Sequence, residues 1–153
     1  MDKAVVEWDC EFEVEARRLD VEEWSFHWPD ISRELDTIPQ YWAPYWTKEY
    51  MCTNVMTGGW QAWGFGDVGN IRVIVLTQLI VYPASRVLQM MLGFGNSLDL
   101  VAPLIEATLE RFAMETECDY CEIVGREGWA KKFPRFKKVG VVLRWEVTTA
   151  GVH

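Results

Sequence analysis

A chain of 153 residues, half of them hydrophobic and nine of them tryptophan, is long enough for one buried core and too apolar to stay disordered. Its formal charge of -8 is unevenly placed: Met1 to Gly58 carries 13 acids against 5 bases, whereas Gly59 to His153 carries 10 of each. That imbalance disfavours nucleic acid or an anionic membrane as a partner of the N-terminal part.

The first residues, MDKAVVEWDCEFEVEARR, offer no basic leader ahead of an apolar core, so no secretory signal is expected. The longest apolar stretch, Val73 to Tyr82, is interrupted by Thr77 and Gln78 and falls short of the ~18 residues of a membrane-spanning helix. Cys10, Cys52, Cys118 and Cys121 do not form the pattern of a disulfide framework and fit a reducing, intracellular setting.

Val5 to Val14 alternates Val6, Trp8, Cys10, Phe12 and Val14 with Glu7, Asp9, Glu11 and Glu13, the period of a half-buried first strand. A helical segment is expected from Asp20, with Trp24, Ile31 and Leu35 inward and Pro29 limiting its regularity, until Pro39 ends it. A second is expected over Tyr41 to Met56, with Trp42, Tyr45, Trp46, Tyr50 and Met51 at helical steps and Gly58-Gly59 closing it. Trp60 to Phe65, Arg72 to Tyr82 and Val87 to Leu92 then read as an antiparallel meander. The turn sequences Gly66-Asp67-Val68-Gly69-Asn70 and Pro83-Ala84-Ser85 separate its strands.

The clearest periodicity follows. Val101, Leu104, Ile105, Thr108, Leu109, Phe112 and Ala113 recur at three- and four-residue steps, with Glu106, Glu110, Arg111 and Glu115 between them. Ser97 or Asp99 is expected to cap this long helix, with Pro103 in or near its first turn. With strands at Val87 to Leu92 and Tyr120 to Val124 on either side, it predicts a parallel, right-handed βαβ unit. Arg126 to Phe136 should contain a short helix presenting Trp129 and Phe133, and Val139 to Val147 alternates as a final strand. The expected architecture is α+β: a mixed sheet with helices on both faces, residues 1–147 forming a single domain and 148–153 a loose tail.

This order of elements resembles the GNAT superfamily of N-acyltransferases, most closely from Trp60 to Val147. The segments Thr77-Gln78-Leu79-Ile80-Val81-Tyr82-Pro83 and Cys121-Glu122-Ile123-Val124-Gly125-Arg126-Glu127-Gly128-Trp129-Ala130 look like small GNAT-like proteins of tailed phages. In these, a strand ending in Gly-Arg-x-Gly-Trp leads into a short helix. The resemblance implies a cofactor turn of the pattern Gln/Arg-x-x-Gly-x-Gly/Ala, whose backbone amides at a helix N-terminus hold the pyrophosphate of acetyl-CoA. The phosphates must reach those amides with no side chain in the way.

Here the corner reads Leu92-Gly93-Phe94-Gly95-Asn96-Ser97-Leu98-Asp99, so Gly93, Gly95, Asn96 and Ser97 are the cofactor contacts if acetyl-CoA binds. No basic residue precedes the Gly-x-Gly, and Asp99 sets a carboxylate where phosphates would sit. The tyrosine that such enzymes often use as acid near the last helix is replaced by Trp129, Phe133 and Phe136. Gln89 and Glu122 leave no assignable base, and Tyr120 is on the neighbouring strand.

Cys118 and Cys121 are expected on opposite faces of a strand and so read as core thiols, and no metal site is expected. His27, beside Trp24, Phe26 and Trp28, and the terminal His153 adjoin no nucleophile motif. Arg126, Lys131, Lys132, Arg135, Lys137 and Lys138 form a basic cluster. It could be a solvated helix face, a contact for the 3′-phosphate of CoA or nucleic acid, or a partner for the acidic part of another subunit.

Trp42, Trp46, Trp60 and Trp63, with Tyr41, Tyr45 and Tyr50, exceed what a small core needs; they could line the groove where GNAT proteins accept substrate, and an interaction surface is the preferred reading. The resulting expectation is a GNAT-like protein of phage type with a degenerate acetyl-CoA loop. It needs no cofactor and acts in the virion or host cytoplasm, contacting phage proteins or copies of itself. The alternative is an acetyl-CoA-dependent N-acyltransferase acting on a small amine or a host protein.

Overall fold

The computed structural model describes residues 3–7, 13–67, 70–125 and 128–148, with the backbone alone for 3–7 and 13. Six strands lie in sequential order in one sheet: β1 (Lys3–Glu7), β2 (Glu13–Arg18), β3 (Trp60–Asp67), β4 (Asn70–Val81), β5 (Arg86–Gly95) and β6 (Tyr120–Ile123). The first five pair antiparallel; β6 joins β5 in parallel after the crossover helix α3 (Leu98–Glu115). The predicted meander and βαβ unit are both present, in an α+β fold.

Two apolar clusters sandwich the sheet. On one face α1 (Val21–Leu35) and α2 (Lys48–Met56) contribute Trp24, Ile31, Leu35, Met51 and Val55, packed with Trp60, Leu76 and Leu92. On the other, α3 and the short α4 (Trp129–Lys132) pack against Trp63, Phe65, Val73 and Val75. All seven residues of the predicted α3 stripe are buried. β3 is buried on both faces along nearly its whole length, as a central strand should be.

The polar groups inside this sandwich are chained together. Trp63 Nε1 donates to Thr77 Oγ1 at 3.0 Å, and Thr77 Oγ1 donates to Gln61 Oε1 at 2.8 Å, all three residues being buried. A buried donor left without its acceptor costs more than an ordinary hydrogen bond contributes.

Several elements differ from expectation. The single first strand is replaced by a hairpin, with Val6 opposite Val14, because the alternating run reads through the turn; Trp8, Cys10 and Phe12 lie outside the described residues. α1 runs unbroken through Pro29, which faces solvent; its start is held by reciprocal bonds between Asp20 and Glu23. The expected second helix begins only at Lys48. Pro44 interrupts the pattern, a 3₁₀ turn spans Pro39–Tyr41, and Thr47 accepts from the Tyr50 amide at 3.1 Å as the true cap. Pro103 lies further inside α3 than expected, on its exposed side. The predicted final strand, Val139 to Val147, does not form, because it has no neighbouring strand to pair with here. Among the described residues, no helix is long and apolar enough to cross a membrane.

Replacing Thr77 by Val keeps the shape and removes both bonds. The expected loss is about 1–3 kcal/mol of unfolding free energy, measured by urea denaturation, with the sheet spectrum retained.

Candidate functional site

The corner between β5 and α3 takes its form from one extra residue. Leu76 pairs with Leu92 and Thr77 with Met90, which leaves Met91 of β5 without an opposite number. A one-residue bulge reverses the side on which every later side chain falls. Leu88 and Met90 accordingly pack on the α3 face, whereas Leu92 and Phe94 pack with α1 and α2. Gly93 is thereby turned toward α3 and α4.

At the same level the parallel ladder ends. β6 makes its last bond from the Val124 amide to Met90 O, at 3.0 Å, while β5 runs on to Gly95. Trp129 of α4 fills the opening. A methyl group at Gly93 would stand 3.1 Å from Trp129 Cη2, and one at Gly125 would stand 2.5 Å from Trp129 Nε1. The indole therefore rests against both backbones, is itself buried, and packs on Phe133 at 5.7 Å between ring centroids.

Beyond it, Gly95 adopts φ +128°, and any side chain there would collide with the Arg72 carbonyl. Ser97 adopts φ 66° and turns the chain into α3; its carbonyl accepts from the Leu100 amide at 3.1 Å. Contrary to expectation, neither candidate cap side chain caps this helix. Ser97 Oγ is 3.5 Å from Arg72 Nη1, and Asp99 is ion-paired with Lys132.

Gly93, Gly95, Asn96 and Ser97 thus lie together at the start of α3, as the sequence predicts of any strand-to-helix turn. Arg72 is the basic residue that a reading along the corner alone misses. It is the extra residue of a second bulge, since Phe65 pairs with Val73 and Gly66 with Ile71, and it also binds Asp67 at 2.8 Å. In a sheet covered on both faces adjacent apolar residues such as Met90-Met91 are buried with or without a bulge, so the sequence carries no signal for it.

The predicted interaction residues are dispersed by packing. Trp60 and Trp63 are buried, and Trp42 is buried with its Nε1 donating to Leu35 O at 2.8 Å. Trp46 is half-buried, edge-on to Trp60 at 5.2 Å. The accessible aromatic surface around them includes Tyr41, Tyr45 and Tyr50. Arg126 lies outside the described residues, and Lys131 is exposed.

Lys132 is tied to Asp99, and Arg135 binds Glu110 at 3.0 Å and Glu106 at 3.4 Å. Two of the six basic residues, Lys132 and Arg135, are thus matched by the acidic side of α3. The hydrogen bond from Arg135, aided by its charge, holds the Glu110 carboxyl below the usual glutamate range.

Cys118 and Cys121 share the α3 face rather than opposing it, because Cys118 precedes the strand and alternation does not apply to it. Both are free thiols, and burial, with Cys118 nearby, pushes the Cys121 thiol up to about 11. His27 meets Phe26 edge-on at 5.0 Å and lines a cleft of about 70 Å³ with Glu15, Arg17 and Asp67. Gln89 accepts from Gln78 at 2.9 Å, Glu122 is half-buried and Tyr120 is exposed. Among the described residues, no three His, Cys, Asp or Glu side chains gather as metal ligands.

No family model matches the sequence, and no curated protein matches it significantly. Solved structures do. An aminoglycoside acetyltransferase from an uncultured soil metagenomic sample, in complex with trehalose, superposes with a TM-score of 0.64 at 9% identity, over 88% of this chain and 97% of that one. A predicted acetyltransferase with acetyl-CoA from Clostridium acetobutylicum gives 0.64 at 12% identity, over 90% and 97%. A ribosomal-protein-alanine N-acetyltransferase from Brucella melitensis biovar Abortus 2308 gives 0.58 at 13%, over 88% and 96%. The fold of this chain is the GNAT acetyltransferase fold.

Two outcomes follow from the packing. Gly125→Ala forces the Trp129 indole to shift and should lower stability by about 1–3 kcal/mol in urea denaturation. At pH 8 the raised pKa leaves Cys121 with about 100-fold less thiolate than an ordinary thiol. Iodoacetamide, followed by peptide mapping, should therefore label Cys121 far more slowly in the folded protein than in the protein unfolded in urea.

Proposed function

We propose that this chain is a GNAT-fold protein of phage type that serves as a protein-interaction or virion component and does not transfer acyl groups efficiently. The observation that carries the reading is the filling of the corner by the chain's own side chains. Trp129 lies over Gly93 and Gly125, and the Asp99–Lys132 pair stands at the first turn of α3. A diphosphate seated on the amides there, with its carrier arm continuing along β5, would have to displace an indole and compete with a carboxylate. The residues present do not fit acetyl-CoA as they stand.

The chemistry of the neighbouring groups agrees. Trp129, Phe133 and Phe136 hold the positions near the last helix where a proton donor would be sought. Gln89, the polar residue of β5 nearest that end of β6, is engaged with Gln78 and is not a base. The phage-type assignment rests on the likeness of Gly125-Arg126-Glu127-Gly128-Trp129 to small phage proteins. The use of the fold for contact rests on the exposed Tyr45 and Tyr50 beside half-buried Trp46.

A second reading, an acetyl-CoA-dependent N-acetyltransferase, is favoured by one specific arrangement. The N-terminus of the 18-residue α3 has Arg72 beside it and a Gly-x-Gly before it. Isothermal titration of the protein with acetyl-CoA separates the two. No saturable binding is expected up to about 1 mM, the upper end of ordinary enzyme KM values. Saturable binding at micromolar concentration, with thiol release when an amine is added, would establish the enzyme instead.

A further inference from the structure

The facing sides of α1 and α2 do not close along their whole length. The two helices run antiparallel and are tied at both ends. Ser25 Oγ donates to Met56 Sδ at 3.4 Å at one end; at the other, Lys48 Nζ donates to Ser32 Oγ at 2.9 Å and to Asp36 Oδ1 at 2.8 Å. Between these ties the short side chain of Cys52 shares the space with Trp28. The Cys52 sulfur accepts from the buried Trp24 indole N–H at 3.4 Å, and the Trp28 ring leans on Trp24 at 5.4 Å between centroids. An open groove of about 350 Å³ remains, lined by Trp28, Ser32, Lys48, Glu49, Cys52 and Thr53. That is the size of an ordinary small-ligand site.

The charges around the groove are unbalanced. The two helices carry five acids, four in α1 and Glu49 in α2, against Arg33 and Lys48. Arg33 is paired with Asp30 and Lys48 with Asp36, so both bases are already matched. Glu49, exposed at the lip, takes part in no ion pair among the described residues. An unpaired carboxylate beside a half-buried indole is a receptor for an organic cation. The carboxylate supplies the counter-charge, and the ring face attracts the cation through its quadrupole.

We propose that this groove binds a guanidinium group, stacked on Trp28 and hydrogen-bonded to Glu49. A guanidinium suits it better than an ammonium, because it is planar and weakly hydrated and lies flat on an indole while its fork of N–H donors faces a carboxylate. The Ser32 and Thr53 hydroxyls line the same walls and accept further N–H bonds. The surplus acids of α1 steer a cation toward the groove, whereas an anion would meet Glu49 and a lysine already bonded to Ser32 and Asp36. The groove lies on the opposite face of the sheet from α3, so its occupation is independent of what binds at the corner.

Titration of the ¹⁵N-labelled full chain with ethylguanidinium chloride, at constant ionic strength, tests the assignment. The Trp28 indole N–H signal, identified by its absence from the Trp28→Phe spectrum, should shift saturably with a midpoint near ~1 mM. Ethylammonium chloride should bind about threefold more weakly or worse. Glu49→Gln, a change at an exposed position, should leave the rest of the spectrum intact and weaken ethylguanidinium about fivefold. Nα-acetylarginine amide identifies the source of the cation: binding tighter than ethylguanidinium assigns the groove to an arginine of a partner protein, and binding no tighter assigns it to a free small molecule. A Trp28 signal that moves no more than with sodium chloride, equal binding of the two ethyl cations, or undiminished binding by Glu49→Gln would each overturn the assignment.

Discussion

Met91 decides how this sheet is read. One residue without a partner on β5 reverses the alternation midway along the strand. Without the bulge, Leu92 and Phe94 would be driven toward α3, and Gly93 would lie under α1 and α2. With it, large side chains fill the α1–α2 cluster and the small residue comes to the face where α4 packs. The long helix, the end of the parallel ladder and the seat of Trp129 all depend on that reversal.

The corner therefore combines two features that pull apart. The glycines, the left-handed Ser97 and the start of an 18-residue helix form a bend suited to an anion. The indole over Gly93 and the carboxylate of Asp99 are suited to keeping one out. The likeness to solved acetyltransferases, at 9–13% identity, concerns the fold and leaves the site to be judged on its own residues. Judged so, Trp129 covers Gly93 at the corner, and Lys132 and Arg135 of the basic cluster beyond it are paired with Asp99, Glu106 and Glu110.

Much of this architecture was legible in the sequence where local pattern and tertiary need coincide. The α3 stripe, the β3–β5 meander and the inward Trp24, Ile31 and Leu35 follow from periodicity alone. What could not be read depends on partners distant in sequence. Alternation through residues 5–14 cannot distinguish one strand from a hairpin, and a chain pattern cannot show that Pro29 faces solvent while Pro44 ends a helix. Arg72 reaches Ser97 from another strand, and the burial of Trp42, Trp60 and Trp63 reflects which face of each element meets the core. Val139 to Val147 shows the same limit from the other side: a strand pattern becomes a strand only when the segment is laid along a partner strand.

Trp129 occupies the space that an acyl carrier lying along β5 would need. A crystal structure of the protein grown with millimolar acetyl-CoA tests this most directly. The account predicts the indole seated between Gly93 and Gly125, with no coenzyme at the corner. Phosphates held by the amides of Gly95 through Leu98, with Trp129 swung out of its seat, would contradict it.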